Sequence, residues 1–163
     1  SRVGVIATPA TAASNSYSKK IKSYNPGTKV FEQACPDLVP LIESGHLRSE
    51  QLRSKTIEYL TPLLEERVDS IVMGCTHYPL IESLFRQILP KHVRLIDPAI
   101  GLAVKLDTLF GAPTLETRGP KLLANTSFFV TRDPSGFASG AMTWLGESPE
   151  VELVSLRSKA CFS

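Results

Sequence analysis

Cys75 and His77 stand two residues apart in the run Gly74-Cys75-Thr76-His77-Tyr78-Pro79. A thiolate is a strong nucleophile and a competent proton acceptor. A histidine beside it can exchange a proton with it or orient it. The apolar stretch Ser70 to Gly74 (SIVMG) precedes the pair, and Pro79 occupies a position suited to a first helical residue. That predicts a thiol at a strand end, just ahead of a helix N-terminus. Free N–H groups and partial positive charge there favour anions, a thiolate or a bound carboxylate among them. The plainer alternative is a small buried cysteine and a capping histidine, and spacing does not choose between them.

Glu43 is a second candidate. It closes a short predicted helix after the second strand, where a carboxylate could anchor a substrate amine or tune a histidine. Taken alone, it reads more simply as a solvated helix-end residue. Thr8 and Thr11 follow the first strand; their hydroxyls could bind a small polar ligand, helix capping being the simpler role. Cys35 precedes Pro36 and Asp37, and an acidic neighbour opposes a thiolate, so Cys35 reads as structural. Cys161 lies near the C-terminus and is expected to fray. Cys75 and His77 fall short of the three or four convergent ligands of a zinc site, so no metal is expected.

These residues need a scaffold. Arg2 to Ala7, Lys29 to Ala34, Ser70 to Gly74 and Val93 to Ile96 read as strands. Helices are expected from Thr8 to about Tyr24, from Pro36 to Gly45, from Ser49 through Leu64 with a kink at Pro62, from Pro79 to Leu89 and from Pro98 to Phe110. Residues 111–124 read as a linker. A strand (Ser127 to Thr131), a Gly-interrupted helix (Asp133 to Leu145) and a strand (Val151 to Leu156) follow. The alternation predicts an α/β fold, a parallel sheet flanked by helices. In such sheets, ligands bind beyond the carboxyl ends of the strands, where Thr8, Thr11 and Cys75 fall.

Composition narrows the classes. The 163 residues include 18 Lys plus Arg and 16 Asp plus Glu, for a net charge of +2, which disfavours a dedicated nucleic-acid binder. Mean hydropathy is +0.01, and no run of about 18 apolar residues exists, so no membrane span is expected. Three cysteines are too few, and an odd number, for a disulfide scaffold; reduced thiols in a cytoplasmic protein are expected. Neither a GxGxxG nor a GxxxxGK[ST] phosphate loop occurs.

The run GCTHYPL, from Gly74 to Leu80, resembles the second catalytic motif of the glutamate racemases. Gly4-Val5-Ile6 followed by Thr8, Thr11, Ser14 and Tyr17, then Ala34-Cys35-Pro36 followed by Leu38 to Glu43, then Ile96-Asp97-Pro98-Ala99, agree in order and spacing, and FFVTRD, WLG and VELVSL resemble the family's C-terminal end. The resemblance covers nearly the whole chain. It implies cofactor-independent interconversion of L- and D-glutamate for peptidoglycan precursors, by two cysteines on opposite faces of the α-carbon. It assigns Cys75 to L-glutamate, His77 to assist it, Thr76 and His77 to substrate, Glu43 as accessory carboxylate, and Thr8 and Thr11 as hydroxyls near the substrate carboxylate. Aspartate racemases typically carry an acidic residue where this chain has His77, which favours glutamate.

The family's first domain brings an Asp-Ser pair near its start and a Cys-Asn-Thr motif with the other catalytic cysteine; this chain has no Asp-Ser pair near its start and no Cys-Asn-Thr run. The resemblance therefore implies one domain of a two-domain fold: residues 1–97 as the second domain, and 98–163 as a returning segment that packs on the first. Without that domain, the chain is expected to be inactive and to self-associate, as a homodimer for instance, or to leave its tail loosely packed. Two other classes stay open on the sequence alone: a Cys–His hydrolase or acyltransferase, and a non-catalytic binding domain.

Overall fold

The computed structural model describes residues 1–110, 123 and 126–156. Cys161, and the 111–124 linker apart from Leu123, lie outside the described residues. The chain divides into two compact units, Ser1–Leu106 and Asp107–Ser163.

The first unit is α/β. Its strands are β1 (Arg2–Ala7), β2 (Lys29–Ala34), β3 (Ser70–Gly74) and β4 (Arg94–Ile96), all parallel in the order β2-β1-β3-β4. Alternation of side chains decides the two faces. Ile6, Ile71 and Met73 point to one side, into a core built with Leu38, Ile42, Leu52, Leu60, Leu63, Tyr78, Ile81 and Phe85. Val5, Ala7 and Val72 point to the other, where Ala12, Tyr17 and Ile21 cover them.

The helices are α1 (Pro9–Ser14), α2 (Ser16–Tyr24), α3 (Leu38–Glu43), α4 (Glu50–Glu65), α5 (Glu82–Ile88) and α6 (Pro98–Phe110). The single helix expected up to Tyr24 is two, because Asn15 adopts a left-handed conformation (φ 51°) between them. Asparagine tolerates that conformation better than most residues. Ser49 caps α4 as expected, its hydroxyl accepting from the Leu52 N–H at 3.2 Å. Pro62 falls near the C-terminal end of α4, and the helix continues to Glu65. Gly45, at φ 77°, turns the chain out of α3.

The second unit contains β5 (Phe128–Val130), α7 (Pro134–Leu145) and β6 (Val151–Leu153). Its two strands are parallel neighbours. Despite its glycines, α7 forms as a regular helix. Pro134 sits in its first turn, Asp133 caps the Gly136 N–H at 2.9 Å, and Gly146 closes the helix at φ 80°. No helix among the described residues is long and apolar enough to cross a membrane.

Candidate active site

The register places the site. Ala7 pairs with Ala34 on one side and Gly74 on the other, so Thr8, Cys35 and Cys75 leave the carboxyl ends of three adjacent strands side by side. Gly74 is required by close packing. A Cβ there would lie 2.9 Å from the Ile6 carbonyl oxygen and 3.1 Å from the Tyr17 ring.

Beyond Cys75 the chain forms a four-residue 3-10 helix, Tyr78–Ile81, and only then α5. This corrects the expected α-helix from Pro79. Cys75 faces a single tight turn, without the aligned peptide dipoles of a longer helix. What the turn supplies is position. Tyr78 and Ile81 are buried and anchor it to the core, which leaves Thr76 exposed and Cys75 partly accessible. The N–H groups of Thr76 and His77 have no hydrogen-bond acceptor among the described residues.

His77 connects Cys75 to Glu43, which selects the histidine-tuning position among those open to Glu43 on sequence. Its Nδ1 is 3.9 Å from Cys75 Sγ, and its Nε2 is 3.0 Å from Glu43 Oε1. Glu43 reaches it from the last residue of α3, which packs against the 3-10 helix. With Nε2–H donating to the carboxylate, the Nδ1 lone pair faces the thiol. A thiol, an imidazole and a carboxylate thus form one continuous array.

Thr8 and Thr11 belong to the same edge. Thr8 is the N-cap residue of α1, yet its hydroxyl caps no N–H; the two hydroxyls lie 3.0 Å apart and hydrogen-bond each other. The simple capping role is thereby excluded for Thr8.

Cys35 differs from Cys75 in accessibility. It is 1% exposed, and burial pushes its thiol up to about 12, so it stays protonated near neutral pH. Tyr78 lies next to it, its phenol held far above the ordinary value by burial and by the neighbouring Cys35 and Cys75. Tyr17 is raised by burial, then by Glu32 and Cys75. Neither tyrosine has a role legible in the sequence. The signal for the position of Tyr17 was its four-residue spacing from Ile21, which puts both on the helix face that covers the sheet.

Residues 1–106 match the family described as Asp/Glu/hydantoin racemase. The chain belongs to that family. Among its relatives, the glutamate racemase of a Synechococcus species is 52% identical over 154 residues, 93% of this chain and 58% of that protein. That of Gloeobacter violaceus is 44% identical over 156 residues, 95% of this chain and 57% of that protein. Two solved glutamate racemases share the fold. The Francisella tularensis enzyme, in complex with D-glutamate, superimposes with a TM-score of 0.77 at 33% identity, over 96% of this chain and 59% of that one. An isoform from Bacillus anthracis gives 0.79 at 31%, over 97% and 59%. The chain therefore spans somewhat under three fifths of the length of these curated racemases.

Proposed function

We propose that the protein to which this chain belongs is a cofactor-independent glutamate racemase, and that Cys75 exchanges the α-proton on the face used by L-glutamate. The observation that carries this reading is the Cys75–His77–Glu43 array at the carboxyl edge of the sheet. Proton abstraction from carbon requires a base close to the α-carbon whose own proton has somewhere to go. His77 receives or returns the thiol proton, and Glu43 holds the imidazole in the tautomer that can do so. The free N–H groups of Thr76 and His77, with the Thr76 hydroxyl, are suited to a substrate carboxylate. The Thr8–Thr11 hydroxyl pair offers further polar contacts.

Inversion requires a donor on the opposite face. In this reading, a second cysteine supplies it from the portion of the relatives' length that this chain does not span. Cys35 is not that residue, since its thiol is buried within the core. Residues 1–97 act as the second domain, and 98–163 return to the first. The product, D-glutamate, supplies cell-wall peptidoglycan precursors in the cytoplasm.

A chiral assay with each glutamate enantiomer tests the reading. The full-length protein should interconvert them, and the 163-residue chain alone should not. Inactivity of a folded full-length protein toward both enantiomers overturns it.

A further inference from the structure

We propose that Cys75 is also a competent acyl-accepting nucleophile, so that the chain by itself hydrolyses activated carboxylic esters through a Cys75 thioester. This goes beyond racemisation, because it needs no group on the opposite face of a substrate.

Four observations converge. The Cys75 thiol is partly accessible, at a strand end, and among the described residues only the His77 side chain is hydrogen-bonded to its sulfur. His77 Nδ1 lies 3.9 Å from that sulfur. Glu43 Oε1 lies 3.0 Å from the far ring nitrogen, which fixes the imidazole from a separate helix. The N–H groups of Thr76 and His77, in the turn beginning at Cys75, have no acceptor among the described residues. A nucleophile, a base, an orienting carboxylate and unengaged backbone donors are the parts acyl transfer requires. Nothing in that set is specific to an amino-acid substrate.

The steps balance. The Cys75 proton passes to His77 Nδ1, and the sulfur attacks the ester carbonyl carbon to form an S–C bond. The negative oxygen of the tetrahedral intermediate is met by the free N–H donors. The ester C–O bond breaks, and the alcohol leaves with the proton from His77; a weakly basic alcohol leaves as its anion instead, and His77 gives the proton to solvent water before the next step. A water then gives a proton to His77 and attacks the thioester carbonyl. The S–C bond breaks, the carboxylic acid leaves, and the proton returns to sulfur. One ester and one water yield one acid and one alcohol, with no oxidant or further co-reactant.

The test uses the 163-residue chain and p-nitrophenyl acetate, with release of p-nitrophenolate followed by absorbance. The expected result is a burst approaching one equivalent, and a 42-dalton acetyl adduct that peptide mass spectrometry places on Cys75 (the adduct mass is about that of C2H2O). Cys75→Ala should abolish the burst. His77→Asn should slow acylation about 100-fold or more, in the range of general-base assistance. Thermal melts of each variant check that the fold survives. Acetyl found on Cys161 or on lysines with Cys75 unmodified overturns the proposal, and so does a burst that Cys75→Ala leaves intact. No burst and no adduct from a folded wild-type chain also overturns it. The racemase reading stands or falls separately, on the enantiomer assay with the full-length protein.

Discussion

His77 Nε2 lies 3.0 Å from Glu43 Oε1, across 34 residues of sequence. The pair ties the end of α3 to the turn that carries Cys75. Its effect on catalysis should be graded. In the full-length protein, His77→Asn should lower kcat about 100-fold or more, as expected for loss of the acid–base group itself. Glu43→Gln keeps a hydrogen-bond acceptor but removes the charge, and should cost less, about 10-fold by the same scale. Steady-state kinetics on both variants check the order. A larger loss from Glu43→Gln than from His77→Asn contradicts it.

Gly74 offers a packing test. An added methyl would meet the Ile6 carbonyl oxygen at 2.9 Å, and backbone cannot swing aside as a flexible side chain can. Gly74→Ala should therefore destabilise the first unit by about 1–3 kcal/mol, the usual cost of overpacking. Urea denaturation measures this. It should also displace Cys75, so alkylation of Cys75 by iodoacetamide should change in rate even where the variant remains folded.

The buried Cys35 gives a pH prediction with a definite sign. Burial raises its thiol from 9.0 to about 12, so the folded state favours the protonated form. That contribution is complete below the unfolded value and is lost as pH rises from about 9 toward 12. Tyr59 acts in the same direction, raised to about 12 by burial first and then by its hydrogen bond to Asp37. Tm should therefore decline above about pH 9, and less steeply in Cys35→Ser. A Tm that rises over that interval contradicts the assignment. Cys35→Ser should leave turnover of the full-length protein in place.

The strands and their order of connection were legible because buried parallel strands read as short apolar runs, as Ser70 to Gly74 does. The bounds of α6, Pro98 to Phe110, were equally clear from Pro98 and Gly111. Two local features were not. The break at Asn15 depends on one left-handed residue inside an otherwise helix-compatible run. The 3-10 turn after Cys75 depends on burying Tyr78 and Ile81 together, a tertiary demand that overrides local spacing. At the site, Cys75 and His77 were visible as neighbours. A link from Glu43 to a histidine was one possibility beside a solvated helix end, because only the packing of α3 on that turn brings the carboxylate within reach.

The apolar surface of the second unit makes its own prediction. Phe129 and Leu153 are 59% and 60% exposed, on a sheet that has two strands among the described residues. Such a sheet is marginal without further cover. In α6, Ile100 and Leu102 are similarly exposed, at 66% and 59%. The isolated chain should therefore self-associate in sedimentation, or the amides of Phe128–Val130 should exchange with solvent faster than those of Ser70–Gly74. A monomer in which both strands are equally protected contradicts this.

The most direct test of the central claim follows the α-proton itself. Full-length protein is incubated with L-glutamate in deuterated water, and both enantiomers are separated and analysed for deuterium at Cα. The wild-type and Cys35→Ser proteins should yield D-glutamate carrying α-deuterium. No deuterium should be incorporated from L-glutamate with Cys75→Ser, whose hydroxyl is far less acidic than a thiol and cannot serve as the base. Undiminished incorporation in a folded Cys75→Ser protein would contradict the assignment of Cys75 to proton transfer.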